Sequence, residues 1–239
     1  FLKIKKLYNY VSDIYFTPDY SAHLDAAIRL LDKLQLKEDF IIVDAGAADG
    51  RSSLKFAHNF KQSKIIAFEP VSQMCELFKE KTQHLSNVIL IKKALGNSIS
   101  KVKVNITKNF ESSSILQLNT QYNKNTDFTD ELGFQNTETV DLTTLDEELK
   151  DHKNIGLIKI DTQGAELMIL QGASQTLKKT KIILLEMNNH DSYKNAAKYY
   201  QVDIYLRNSD FRLYDLIPAL RNKERIYEWD AIYLQSKYF

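Results

Sequence analysis

Hydrophobic positions along the chain fall into short solid runs, and most of the runs end in an acid. Phe40-Ile41-Ile42-Val43 closes at Asp44, Ile65-Ile66-Ala67-Phe68 at Glu69, Ile158-Lys159-Ile160 at Asp161 and Ile183-Leu184-Leu185 at Glu186. Solid apolar runs of this length, bounded by turn residues, predict strands buried on both faces. Asn87 to Lys92 predicts one more. Between the runs the spacing turns helical, at about 51–57, 72–84, 143–149, 164–172 and 191–200, with Gly172 marking a helix end. Strands alternating with helices predict an α/β chain with a parallel, doubly wound sheet. Two final runs, Phe211 to Ile217 and Trp229 to Leu234, are joined too closely for a crossover and predict an antiparallel C-terminal hairpin, completing a mostly parallel seven-stranded sheet. The alternating stretch Lys101 to Ile106 reads as a half-exposed strand, and Gly96-Asn97 before it predicts a hairpin with the 87–92 strand.

Two segments break this rhythm. Residues 1–16 carry Leu2, Ile4, Leu7, Tyr8, Val11, Ile14 and Tyr15 at helical spacing, and a second helix is expected over about 21–36, beyond Pro18. Residues 1–39 therefore form an N-terminal helical segment, a candidate cap on the domain at 40–239. Residues 107–139 are rich in Asn, Thr, Ser and Gln, with isolated Phe110, Tyr122, Phe128 and Phe134. A polar connection of this length predicts a lid-like insertion.

Charge narrows the partners. With 32 basic and 31 acidic residues among 239, the net charge is +1, and nothing marks a polyanion as partner. The lone Cys75 sits with Met74, Leu77 and Phe78 on one expected helix face and suits a buried, inert thiol in a reducing compartment. No apolar run reaches the ~20 residues of a membrane span, and no signal peptide opens the chain. A cytoplasmic location is the expectation. The chain starts at Phe1, as a piece of a longer protein or one lacking its first residues would.

The turn after the first run carries the first chemical signal. Gly46 and Gly50 let the backbone turn tightly and let a ligand approach, and the helix starting at Arg51 offers free N–H groups. A dinucleotide fingerprint would place glycines at 46, 48 and 51, where positions 48 and 51 hold Ala and Arg. The acid-x-Gly-x-small-x-Gly pattern of Asp44, Gly46, Ala48 and Gly50 instead resembles motif I of S-adenosylmethionine-dependent methyltransferases. Glu69, about 20 residues further on, stands where an acid accepts ribose hydroxyls; it could equally cap the helix after Pro70. Ala94 and Leu95 follow the third strand, where an adenine would meet an apolar surface. Ligands of such sheets bind beyond the carboxyl ends of the strands, which makes the terminal acids the leading candidates.

Taken with Val43-Asp44-Ala45-Gly46-Ala47, Phe68-Glu69-Pro70, Ala94-Leu95-Gly96-Asn97, Ser112-Ser113-Ser114, the run Leu157 to Glu166, Leu170-Gln171-Gly172-Ala173 and Trp229-Asp230-Ala231-Ile232, the chain resembles the FkbM-type methyltransferases over roughly residues 40–235. The resemblance implies a Rossmann-like class I fold, S-adenosyl-L-methionine as cofactor, and methyl transfer to a hydroxyl of a sugar, glycan or related natural product. The residues expected at the cofactor are Asp44, Gly46, Ala47, Gly50, Ser52, Glu69, Pro70, Ala94, Leu95 and Asp161, and those expected at the acceptor are Ser113, Ser114 and Glu166. Asp161 or His190 is the expected base and Glu186 the orienting group; Lys159 is expected to pair with one of the acids. His190 with Asp191 could instead cap a helix, and Glu166 could simply offset a helix dipole. No metal is expected, for want of a tight carboxylate cluster. A nucleic-acid partner is not expected either, since the chain lacks a basic face and an Asn/Asp-Pro-Pro-aromatic motif. Oligomeric state is left open. The alternatives are a nicotinamide-dependent oxidoreductase or a non-catalytic module on the same fold.

Overall fold

The structure, a computed structural model, describes residues 14–16, 21–36, 39–123, 133–222 and 226–239. The elements in chain order are β1 (Ile14–Phe16), α1 (Ala22–Lys33), β2 (Ile41–Ala45), α2 (Arg51–Asn59), β3 (Lys64–Phe68), α3 (Ser72–Thr82), β4 (Val88–Ile91), β5 (Ala94–Leu95), β6 (Ser100–Thr107), a 3-10 turn (Phe110–Ser112), α4 (Thr120–Asn123), β7 (Phe134–Thr143), α5 (Leu145–Glu148), β8 (Ile155–Ile160), α6 (Glu166–Gln171), α7 (Ser174–Lys178), β9 (Thr180–Asn188), α8 (Tyr199–Asn208), β10 (Phe211–Asn222) and β11 (Ile226–Gln235).

Among the described residues the main sheet runs β1-β10-β11-β9-β8-β2-β3-β4. β9, β8, β2, β3 and β4 are parallel, and β10 and β11 close the sheet antiparallel. The chain winds outward from β2 to β4, then returns to β8 on the other side of β2. The strand order thus reverses between β2 and β8, where ligands of open α/β sheets bind.

The two faces of the sheet are covered by different layers. One face buries Val43, Ile158, Ile183 and Tyr233 against α6, α7 and α8. The other buries Ile42, Leu157, Ile182, Leu184, Ile232 and Leu234 against Phe56 and Ala57 of α2 and Leu24, Ala27, Leu30 and Leu31 of α1. Each fully buried aliphatic side chain removed from water stabilises by about 1.5–3 kcal/mol, so these two apolar layers fix the register of the strands.

Several expectations are corrected. Ile14–Phe16 is an edge strand paired antiparallel with β10, not helix; backbone pairing with a distant strand overrides the local helical spacing, and residues 1–13 lie outside the described part. The 101–106 strand does not make a hairpin with 88–91. It belongs to a separate sheet, β5-β7-β6, paired antiparallel with β7. β7 itself occupies Phe134–Thr143, inside what read as loop. Residues 134–139 are mostly exposed, so a solvated strand carried no apolar signal. Residues 124–132, with Phe128, lie outside the described residues. The helix expected near 191–200 occupies Tyr199–Asn208, because Val202 and Leu206, four apart, are the pair that reaches the core. Cys75 is buried as expected, but Leu77 is 37% exposed and off that face. No described helix is long and apolar enough to cross a membrane.

Candidate active site

The turn after β2 is built by backbone contacts that need glycine. Gly46 and Ala47 both donate N–H to Phe68 O at 3.0 Å. Gly46 has φ +75°, and a Cβ there would lie 1.8 Å from Asp161 O. Only a residue without a side chain lets the ends of β2 and β8 approach this closely. At Gly50, φ +87°, a Cβ would meet the Phe78 ring at 2.8 Å. Ala48 also takes a left-handed φ of +46°, which points its N–H to Glu69 Oε2 at 2.9 Å. The other oxygen, Glu69 Oε1, accepts from Val71 N–H at 2.8 Å. Burial pushes the Glu69 carboxyl up to about 7, against these two hydrogen bonds. Each oxygen keeps a lone pair for a further donor.

Beneath the turn lies a buried ion pair. Asp44 and Lys159 are register partners on adjacent strands. Lys159 Nζ is 3.3 Å from Asp44 Oδ1 and 3.6 Å from Asp161 Oδ2, and it donates to Gly46 O at 3.3 Å. Ser53 Oγ of α2 donates to Asp44 Oδ2 at 2.7 Å. Burial alone would lower the Lys159 pKa; the charges of Asp44 and Asp161 outweigh it and hold the ammonium above its ordinary range.

Two clefts open at the carboxyl ends of the strands. The narrow one is walled by Phe68, Glu69, Pro70, Val71, Ala94 and Leu95, with Ser113 and Ser114 on its rim. The wide one, about 620 Å³, lies below the first turn of α1 and is walled by His23, Asp161, Glu186, His190, Glu228 and Asp230. They share Gly46, Ala48, Glu111, Asp161 and Gln163, so the two clefts join at the switch point.

The wide cleft is acidic because of strand register. Asp230 of β11 pairs with Glu186 of β9, and Glu228 with Asn188. Alternate residues of a strand share a face, so Glu228 and Asp230 stand on the side of buried Ile232 and Leu234. Gln163 Nε2 donates to Asp161 Oδ1 and Glu186 Oε2, both at 3.2 Å. Burial, then the charges of Asp161 and Glu228, hold Glu186 well above the usual carboxylate range. Burial, then Asp161, pushes Asp230 up to about 7. His190 Nε2 lies 2.7 Å from Glu228 Oε1, and its Nδ1 accepts from Ser192 N–H at 3.3 Å. His23 Nδ1 lies 3.4 Å from Asp230 Oδ2. Burial, with Lys159 next, pushes His23 down to about 4.

The sequence candidates thus separate into three groups. Glu69, Pro70, Ala94, Leu95, Ser113 and Ser114 line the narrow cleft; Ala47, Ser52, Glu186 and His190 line the wide one; Gly46 and Asp161 line both. Asp44, Gly50 and Glu166 line neither. Asp44 is sealed under the turn, and Gly50 packs on Phe78. Glu166 Oε1 accepts from Thr162 N–H, Thr162 Oγ1 and Gly164 N–H, so its carboxylate closes the 161–166 turn. Ser114 Oγ is likewise turned to Gln163 O, at 2.8 Å. Sequence reasoning missed His23, Gln163, Glu228 and Asp230 as cleft residues. The two-residue spacing of Glu228 and Asp230 with Ile232 and Leu234 was a readable signal for two of them, and Gln163 lies within the Leu157 to Glu166 run; His23 had no signal. Among the described residues no three His, Cys, Asp or Glu side chains are grouped to hold a metal ion.

An apolar wall facing a carboxylate with free lone pairs has the chemistry to take a nucleoside. The sequence matches the Methyltransferase FkbM domain over residues 44–213. "Methyltransferase 1" of Beauveria bassiana is 27% identical over 187 residues, covering 68% of this chain and 75% of that protein. The 2-O-methyltransferase NoeI of Sinorhizobium fredii is 23% identical over 171 residues, covering 70% of each. Among solved structures, an rRNA methylase from Streptococcus thermophilus superposes with TM-score 0.52 at 14% identity, over 91% of this chain and 98% of that one. A putative methyltransferase from Streptococcus mutans in complex with SAH gives 0.50 at 14%, over 89% and 97%. These likenesses are of fold, the class I methyltransferase fold expected from the strand order. Together with the family domain, which spans most of the sequence, they fix what the chain is: it belongs to the FkbM methyltransferase family and is an S-adenosylmethionine-dependent methyltransferase.

Proposed function

We propose that this enzyme is an O-methyltransferase acting on a hydroxyl of a sugar, glycan or related hydroxylated natural product. The observation that carries the reading is the junction of the two clefts at Gly46, Asp161 and Gln163. One side suits a nucleoside, and the other is a roomy pocket lined by hydrogen-bonding groups. A polyhydroxylated acceptor needs many such partners, since an unpaired buried hydroxyl is costly. The name of NoeI, a 2-O-methyltransferase, supports the same reading.

In this proposal Glu69 accepts ribose hydroxyls, and Ala94, Leu95 and Pro70 cover the adenine. Gly46, Ala47 and Ser52 face the aminoacyl end, with Asp44 and Gly50 holding the turn from below. The cofactor supplies an electrophilic methyl on a sulfonium. Transfer is an in-line displacement, so positioning the hydroxyl is a large part of catalysis. Asp161 and Glu186, tied together by Gln163, lie where they can orient that hydroxyl, with Ser113 and Ser114 at the rim. Excess carboxylates also favour the sulfonium charge near the junction.

The test is transfer of labelled methyl from S-adenosylmethionine to a panel of mono- and oligosaccharides and hydroxylated natural products, with NMR of any product. An O-methyl resonance is expected. Methyl groups found only on nitrogen, carbon or nucleic acid would overturn the acceptor class.

A further inference from the structure

We infer that His23, on the helix that precedes the sheet, is the general base of methyl transfer, and that His190 is a positioning residue. This rests on the hydroxyl-acceptor reading. The wide cleft holds two histidine–carboxylate pairs, and their wiring differs. His190 has both ring nitrogens engaged: Nδ1 accepts from Ser192 N–H, so Nε2 carries the proton and donates it to Glu228. That ring has no lone pair left for an acceptor proton, and it is 7% exposed. Its function is to hold Glu228 in place.

His23 is wired the other way. Nδ1 faces Asp230 Oδ2, and Nε2 has no partner among the described residues. The side chain is 21% exposed and lines the wide cleft. In the proposed state the Nδ1 proton is turned toward Asp230, 3.4 Å away, and the Nε2 lone pair is available to the cleft. The ring lies within reach of the charges of Lys159 and Asp161 at the strand ends and of Lys55 and Asp25 on the helices.

The chemistry needs only a weak base. As the O–CH3 bond forms and the S–CH3 bond breaks, sulfur leaves with the bonding pair as a neutral thioether, and the hydroxyl oxygen becomes strongly acidic. Its proton passes to Nε2, and the resulting imidazolium is held by Asp230. A histidine kept neutral by burial and by Lys159 holds one ring proton and one lone pair near neutral pH, so which nitrogen can accept depends on Asp230. The required partner state is ionised Asp230, because a protonated Asp230 would donate to Nδ1 and place the ring proton on Nε2. Turnover should therefore rise with pH as Asp230 ionises, near its value of about 7. The groups facing the pair are Lys159 from β8, Asp161 just beyond its end, Lys55 from α2, Asp25 from α1 and Glu228 from β11.

Two measurements test the assignment. Long-range 15N NMR of the full chain with S-adenosylhomocysteine, at pH 8, reads the tautomers without any acceptor. His23 should carry its proton on Nδ1 and His190 on Nε2; a proton on His23 Nε2 would overturn the proposal, whatever the acceptor proves to be. With an accepted sugar, His23→Gln should lower kcat at least about 100-fold, in the range for a positioned base. Calorimetric affinity for S-adenosylhomocysteine should stay within about twofold, which also reports that the variant is folded. His190→Gln should keep the pH limb near 7 and Asp230→Asn should remove it. A His23→Gln kcat within about threefold of wild type, or a pH limb that vanishes in His190→Gln and persists in Asp230→Asn, would overturn it. Failure of every hydroxyl acceptor alongside the expected tautomers would overturn the acceptor reading and, with it, this role for His23.

Discussion

Replacing Lys159 by Met would strip the switch point of its buried cation while keeping most of its side-chain volume. The ammonium side chain is 6% exposed and Asp44 is fully sealed. The substitution leaves Asp44 with Ser53 as its hydrogen-bond donor. Removing one partner of a buried pair costs roughly 3–5 kcal/mol, because the stranded charge has no water to return to. For a domain of this size that corresponds to a fall of roughly 6–20 °C in melting temperature. One control separates the mechanism from lost packing: adding Asp44→Asn removes the stranded charge, so the double variant should recover at least half of the loss, read by urea unfolding with far-ultraviolet circular dichroism. A deficit under about 1 kcal/mol at pH 8, or one that Asp44→Asn does not relieve, would refute the assignment of the pair as a buried, mutually dependent strap.

Three further perturbations probe neighbouring contacts. Glu69 must be ionised to accept from two ribose hydroxyls, and its pKa is raised to about 7. Cofactor affinity should therefore weaken about tenfold between pH 8 and pH 6 with uptake of a proton on release; Glu69→Ala should weaken it at all pH values and flatten this dependence, by calorimetry in two buffers. Gly46→Ala should destabilise by at least about 2 kcal/mol through its left-handed φ alone, with the contact to Asp161 O adding to that and cofactor binding lost; a variant that melts with the wild type would contradict the close strand approach. Arg51, 53% exposed, pairs with Glu111 across the mouth of the clefts, and Arg51→Ala should change thermal stability by less than about 1 kcal/mol, as exposed pairs do.

How much of this was legible in the sequence depends on whether a signal was local. The parallel strands were readable because solid apolar runs end in acids, and the turn was readable because Gly46 and Gly50 recur around Ala48. Lys159 stood out as a cation in an apolar run and does pair with acids, Asp44 and Asp161. β7 was missed because a solvated strand paired only with β6 and β5 has little apolar content to reveal it. The 14–16 strand was missed because its partner, β10, lies about 200 residues away in the sequence. The helix at 199–208 was misplaced by a polar stretch that includes Asn195, whose φ of +61° keeps the preceding segment out of a helix. His190, a candidate base beside Asp161, gave no sign of its carboxylate partner because Glu228 comes from a different strand.

The site divides along the same line as the sequence signal. The matched family domain spans 44–213 and contains Gly46, Glu69, Ala94, Leu95 and Asp161, the residues proposed to hold the cofactor. The wide cleft combines Asp161, Glu186 and His190 from that span with groups from outside it: His23 from α1, Ile217 and Pro218 from β10, Glu228 and Asp230 from β11. Cofactor chemistry is common to the fold, so its residues fall into patterns that spacing can reveal. The wide cleft draws on segments far apart in the chain, and only the three-dimensional pairing of β11 with β9 brings Asp230 beside Glu186. Asp161 lines both clefts, and Lys159, beside it, lines the wide one. On the proposed function, substitutions confined to α1 and β11 should change the acceptor used while leaving affinity for S-adenosylhomocysteine in place, as an acceptor panel and calorimetry would read.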